Sequence, residues 1–376
     1  MSDPAPPVRI LMVDDRPERL AAISDLLVDQ AEVQVRHPLD IEIQDLDDVD
    51  LVSVDEYLGD DWRIAVDGQI KDLPASLRNA DGLAVAASFR SQARMASGGQ
   101  RRFAVTLHTG EIEALAGSLP ARTREALVAA QHDLEWVFEF GADNFATRLV
   151  ELARAVQSIG DEVDSLGVDS GASWLAVPDL SWAETAIAQI EDCRPPAHAL
   201  ARDTLGKSFV RWLAHRILPY PTFLLNDEHA ANLLGIQISS LFALAESDVL
   251  RDRAALYSGP LDGFLGRRWW RAALQQLLVD AECNQWDPPQ LKAEALAELT
   301  GVQLDGLTSD QPVVIYSPQG YVLDIDAPAE TSLRIQPDGW PAYADDPWAS
   351  VVDVTEDSDF RTLVAQIDRR RLEPAE

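Results

Sequence analysis

Asp14, Asp15 and Asp55 each follow or close a short apolar run, and Thr109 closes a further one. Three carboxylates gathered at one edge of a sheet repel one another and are costly there without a cation. Hard oxygen ligands of this kind suit Mg²⁺, which takes one or two carboxylates together with waters and phosphate oxygens. A cation at that position would let a carboxylate such as Asp55 attack a phosphoryl group while the ion neutralises developing charge. A nearby hydroxyl, Thr109, would bond to a phosphoryl oxygen and sense its presence.

The elements that must position these groups are legible as alternating strands and helices. Val8–Val13, Ala31–Val35, Leu51–Val54, Phe103–Leu107 and Trp136–Phe140 read as strands, being short, apolar and rich in β-branched or aromatic residues. Helical spacing appears at Leu20, Ile23, Leu26 and Leu27, and across Gly82–Ala96, Gly110–Ala130 and Ala142–Ile159. Strands alternating with helices imply a parallel sheet with right-handed crossovers, whose ligands sit at the carboxyl ends of the strands. The expected fold class is α/β, a doubly wound five-stranded parallel sheet of the flavodoxin-like kind.

Four pieces in order carry a resemblance: ILMVDD (10–15), DLVSVD (50–55), DGLAVAASFR (81–90) and FAVTLHTG (103–110). Over residues 8 to about 158 the sequence resembles the receiver domain of bacterial response regulators. The resemblance implies that Asp14 and Asp15 help bind Mg²⁺, that Asp55 is the phosphoacceptor and that the backbone carbonyl of Tyr57 completes the metal shell. It also implies that Thr109 is the switch hydroxyl. Three features depart from the family. Its lysine at the end of the fifth strand is replaced by the stretch WVFEF (136–140), with Glu139. Its proline shortly after the acceptor is missing from DEYLG (55–59). Residues 60 to about 80 are an insertion, and Lys71 lies within it.

The remainder resembles no known family. A stretch with Gly160, Gly167 and Gly171 (159–180) reads as a linker, 181–304 as a helical domain and 305–376 as a small α+β unit with a hairpin around Ser317–Gly320. A final helix is expected over Phe360–Arg370. Residues 229–244 resemble a helix-turn-helix that would present Gln237, Ser239 and Ser240 to bases. That helix carries no Lys or Arg and is followed by Glu246 and Asp248, so an ordinary helical hairpin is the favoured reading. Arg267, Arg268, Trp269, Trp270 and Arg271 form the most cation-rich, aromatic point of the chain. They read as an internal brace, pairing acids such as Asp280 and Glu282, or as a contact for a protein partner. No catalytic signature appears in this half.

Composition bounds the rest. The 376 residues suggest two or three domains, and 47% hydrophobic content supplies real cores. A net charge of −32 argues against nucleic acid and anionic membranes as partners. Only Lys71, Lys207 and Lys292 are lysines, so nearly every cation is arginine. Cys193 and Cys283 are too few for a disulfide framework. Residues 1–7 lack the basic and apolar regions of a signal peptide, which sets the expectation of a cytoplasmic protein. The function expected is that of an atypical response regulator in two-component signalling, whose receiver controls protein–protein contacts rather than catalysis. A DNA-binding regulator acting through 229–244 and a pseudo-receiver scaffold are the alternatives.

Overall fold

A computed structural model describes residues 6–59, 62, 81–95, 103–142, 144–162, 171–196 and 202–372. The chain folds as two compact units. The first holds residues 1–118, 124–175 and 196–215, and the second holds 119–123, 176–195 and 216–376.

The first unit is built on five parallel strands: β1 (Val8–Val13), β2 (Ala31–Arg36), β3 (Leu51–Asp55), β4 (Ala104–Thr109) and β5 (Trp136–Glu139). Their order is β2-β1-β3-β4-β5, so the winding reverses between β1 and β3. This is the doubly wound α/β arrangement. Every residue of β4 is buried, as are the first four of β3, which is what a sheet covered on both faces requires. Helix α1 (Ala21–Leu27) packs on β2 and on α5 (Phe145–Glu162), and α5 lies along β1, β3 and β4. Helix α2 (Gly82–Met95) packs on β3 and β4. Leu20, just before α1, and Leu27, at its end, turn inward but Leu26 is 67% exposed, so the expected apolar stripe is narrower than its spacing suggested.

Two expectations change. The single helix over Gly110–Ala130 is two, α3 (Ile112–Ala116) and α4 (Arg124–Gln131). Gly117 adopts φ 56° at the end of α3, Pro120 follows, and residues 119–123 leave for the second unit. The connection from β2 to β3 is made of two 3-10 turns, Pro38–Asp40 and Ile43–Leu46. The described part of the expected linker is packed, with Ala172, Trp174 and Leu175 buried and Trp174 Nε1 donating to Ser158 Oγ at 3.0 Å. The insertion at 60–80, with Lys71, lies outside the described residues apart from buried Trp62.

Helix α6 (Ala183–Asp192) belongs to the second unit, but α7 (Arg202–Trp212) returns to the first and packs on α5. A helical domain over 181–304 is therefore divided between the two units. The second unit continues with β6 (Leu224–Leu225), α8 (Asp227–Leu234), α9 (Ile238–Ala245), α10 (Asp248–Asp252), β7 (Trp269–Trp270), α11 (Arg271–Asp280) and α12 (Pro289–Thr300). Strands β8 (Pro312–Tyr316), β9 (Val322–Pro328), β10 (Ser332–Arg334) and β11 (Trp348–Ser350) form a sheet ordered β10-β11-β8-β9. Helices α13 (Val351–Glu356) and α14 (Ser358–Thr362) follow, so the last helix ends eight residues earlier than expected, at Thr362 rather than Arg370. Helix α8 packs on both β8 and β9, which makes 216–376 one compact body rather than two.

The core of this unit converges on Trp270, whose ring lies 5.6 Å from Trp182, 5.9 Å from Phe223 and 5.4 Å from Tyr257. The hairpin of α8 and α9 buries Ala230, Ala231, Leu234, Leu241 and Leu244. Ser240, one of the three side chains expected to read bases, is also buried and accepts from Asp305 N at 2.8 Å. Asn226 caps α8, its Oδ1 accepting from His229 N at 3.0 Å and meeting His229 Nδ1 at 2.7 Å. Asn226→Ala is expected to cost about 1 kcal/mol, seen as a lower midpoint in urea unfolding; an unchanged midpoint would mean the cap is supplied otherwise.

Candidate functional site

Doubly wound sheets present ligands where the winding reverses, at the carboxyl ends of the strands. Three titratable side chains meet there. Asp14 follows β1, Asp55 ends β3, and His108 is the penultimate residue of β4, in register with Asp55. One ligand atom from each lies within 4.8 Å of the other two, the only such group of His, Cys, Asp and Glu among the described residues. Asp14 and His108 are buried, at 3% and 2% exposure, while Asp55 is half-buried.

Backbone and neighbouring groups hold these side chains in place. Arg16 N donates to Asp14 Oδ1 at 2.6 Å and Tyr57 N to Asp55 Oδ1 at 3.3 Å. The His108 ring is fixed through Nδ1, 3.0 Å from Ser53 Oγ. Its Nε2 faces Asp14 Oδ2 at 3.8 Å and has no hydrogen-bond partner. When Nδ1–H donates to Ser53, the free Nε2 lone pair is directed at the carboxylates, the usual way an imidazole is prepared for a metal.

The electrostatics match a site short of positive charge. Burial, reinforced by the charges of Asp14 and Asp15, pushes the Asp55 carboxyl up to about 6 even though His108 and the Tyr57 N–H pull it back. Burial also lifts Asp15, with the Gly59 N–H opposing it, and lifts Glu56 against the pull of the Thr109 hydroxyl. For Asp14 burial acts upward too, but His108 and the Arg16 N–H outweigh it and the carboxyl falls below its usual range. Carboxylates held above their ordinary range in a concave strand edge mark a candidate cation site.

The sequence-based set is assembled only in part. Asp14 and Asp55 come together as expected. Asp15 is turned aside: its Oδ2 accepts from Gly59 N at 3.2 Å and lies 3.9 Å from Arg16 Nε. Tyr57 brings its backbone beside Asp55, and its side chain is 70% exposed. The Thr109 hydroxyl donates to Glu56 Oε2 at 3.4 Å and accepts from Glu111 N at 3.1 Å, so it is engaged within its own loop. At the end of β5, Glu139 occupies the place expected for a lysine.

His108 takes the place expected for Asp15. Two carboxylates and an imidazole can hold a metal ion, but the nitrogen suits Mn²⁺ or Zn²⁺ better than Mg²⁺, which prefers an all-oxygen shell. A signal for His108 is present in the sequence: it is the one imidazole in a strand otherwise made of apolar residues and threonine, and the register with β3 sets it beside Asp55.

The segment 267–271 is internal. Arg268, Trp269 and Trp270 are buried. Arg271 Nε donates to Thr222 O at 2.7 Å and its Nη2 to Asp345 at 2.6 Å, while Arg267 pairs with Asp227 at 3.2 Å. The expected pairing with Asp280 is corrected, since Arg253 holds that carboxylate at 2.6 Å. No described helix is long and apolar enough to cross a membrane. No protein-family model matches the chain, and no curated protein matches it either.

Proposed function

We propose that the first unit works as an atypical, flavodoxin-like receiver. In this reading it holds a divalent cation between Asp14, Asp55 and His108 and accepts a phosphoryl group on Asp55, and the change at the ends of β3 and β4 alters which protein the chain engages. The observation that carries the proposal is the convergence of those three donors within 4.8 Å at the reversal of the sheet. When bound, the cation would neutralise charge on the carboxylates and on an incoming phosphoryl group. The residues themselves would do the remaining work. Asp55 Oδ would form the new bond to phosphorus as the donor's leaving group departs, and the Tyr57 N–H would orient the carboxylate. Thr109 would exchange its bond to Glu56 for one to a phosphoryl oxygen. Mg²⁺ is the ion the family resemblance implies; the imidazole would be held more tightly by a transition-metal dication such as Mn²⁺ or Zn²⁺.

A second reading, a pseudo-receiver that keeps the cation only as a brace, is favoured by Glu139 at the end of β5 and by the engaged hydroxyl of Thr109. Thermal unfolding with Mn²⁺ or Mg²⁺, with and without beryllofluoride, separates the two on wild type and Asp55→Ala. A ligand held only by the folded state raises the midpoint by mass action. A working acceptor requires a rise with the dication, a further rise with beryllofluoride, and loss of that further rise in Asp55→Ala. A rise with dication alone would sink the phosphoryl chemistry and leave the brace. No rise at all would sink both.

A further inference from the structure

A second cluster lies wholly within the second unit. A cleft of about 290 Å³ is lined by Arg122, Arg267, Arg268, Asp227 and Glu228 among others. Arg267 is neutralised: its Nε lies 3.2 Å from Asp227 Oδ1, a carboxylate that also accepts from Trp269 Nε1 at 2.7 Å. The other two arginines are not.

Arg268 is 5% exposed, and its guanidinium donates only to carbonyls. These are Leu218 O and Arg267 O, each at 2.8 Å, and Gly266 O at 3.3 Å. Carbonyl partners satisfy N–H groups but leave the positive charge uncompensated, and a buried charge without a counter-ion is strongly disfavoured. Arg122 is half-buried, lies over the Tyr316 ring at 5.7 Å and donates to Gly320 O at 3.4 Å, and among the described residues it makes no ion pair. The two charges are close enough to matter to each other. Burial first, and then the Arg122 charge, push Arg268 down to about 10, with Glu228 and Asp227 opposing. Burial and then Arg122, Arg271 and Arg268 together hold His229 well below its usual range, so that side chain adds no charge to the cluster.

In a chain with 63 acidic residues, two guanidinium groups with no ion pair among the described residues line one cleft. We infer that this cleft is a binding site for a small-molecule oxyanion, a phosphate or carboxylate group gripped by Arg122 and Arg268. The planar guanidinium fork matches both groups bidentately, and the low-dielectric wall around Arg268 strengthens the contact. Glu228 lines the same cleft, so the ligand carries its negative charge at one end and is neutral, hydroxylated or cationic beyond it. The site is independent of the cation site and stands or falls apart from it.

The test is calorimetric titration of the full chain, stripped of divalent metal, with inorganic phosphate and separately with acetate. Sodium chloride at matched ionic strength is the reference. The variants are Arg122→Gln, Arg268→Gln and, as a surface control, Arg251→Gln, whose side chain is 66% exposed. Saturable binding of one or both oxyanions is expected, weakened by about tenfold or more in Arg122→Gln and unchanged in Arg251→Gln. The arm that binds more tightly identifies phosphate or carboxylate as the preferred group. Arg122 is half-buried and leaves the core intact, so its variant decides the matter even if Arg268→Gln fails to fold. Heat no greater than the chloride reference for both anions, or wild-type affinity in Arg122→Gln, would overturn the inference.

Discussion

Gly82→Ala is expected to destabilise the first unit by about 2–3 kcal/mol and to abolish its response to dications. Gly82 opens α2 against the end of β3, its N–H donating to Glu56 O at 3.2 Å. A methyl group there would lie 2.0 Å from Asp55 O and 2.7 Å from Glu56 Cα and Glu56 O. Both obstacles are backbone, so no side-chain rotation relieves them. The helix or the strand end must move, and Asp55 moves with the strand end. Asp81 ties the helix start from the other side, its Oδ1 accepting from Ala84 N at 2.8 Å. The loss corresponds to roughly 5–10 °C in the unfolding midpoint of a unit this size. Gly110→Ala is the control, since no heavy atom lies within 4 Å of its added methyl and its φ is ordinary. It is expected to stay within about 0.5 kcal/mol of wild type. A Gly82→Ala protein with wild-type midpoint and wild-type metal titration would show that α2 does not pack on the Asp55 carbonyl.

The contrast between these glycines illustrates what the sequence could and could not disclose. The inner strands of the first unit were legible because they are mostly apolar, as a sheet covered on both faces demands, and the edge strand β2 because Ala31, Val33 and Val35 alternate with polar residues. Phe103–Leu107 was displaced from the observed Ala104–Thr109 by one or two residues, since burial continues through His108 and Thr109 and polar residues do not announce burial. His108 shares that difficulty: its imidazole stands inside a buried strand, and only the register with β3 sets it beside Asp55. The break between α3 and α4 had local signals in Gly117 and Pro120. No local signal told that 119–123 joins another core.

Helix α7 shows that limit most clearly. Its apolar face fixes that it packs, and only the fold decides which core receives it. Arg211 is held by Asp133 and Glu135, and Glu135 is itself buried and accepts from Val105 N, so α7 is bound to the first unit by charges about 76 positions earlier in the chain. At 267–271 the sequence discloses an internal brace but not its partners. These are the carbonyls of Leu218, Pro221 and Thr222 and the carboxylates of Asp227 and Asp345, which no spacing rule links to the arginines.

Removing charge from the carboxylate cluster should separate two properties that ordinary mutations change together. Asp55→Asn is expected to make the metal-free protein more stable at pH 7.5 while weakening dication binding by about 100-fold. The folded carboxyl titrates near 6, above the value of about 4 for an unfolded chain. Below pH ~4 both states hold the proton and Asp55 costs nothing. As pH rises the unfolded chain loses its proton first, so the folded state is penalised increasingly up to about pH 6 and by a constant amount beyond it. Discounted because the carboxylate is partly open to solvent, the penalty is on the order of 1 kcal/mol. The gain from Asp55→Asn should therefore be present at pH 7.5, shrink between about pH 6 and 4, and vanish below. Asp14→Asn should behave oppositely, because the depressed Asp14 carboxyl stabilises the folded state above its unfolded value and loses that contribution as pH falls. Urea unfolding in chelator across this pH range reads both signs, and Mn²⁺ titration of the same two proteins reads the binding loss. If Asp55→Asn proved less stable than wild type at pH 7.5 without metal, burial of the Asp55 charge would not be the cost that a cation is needed to relieve, and the case for a metal at Asp14, Asp55 and His108 would fall with it.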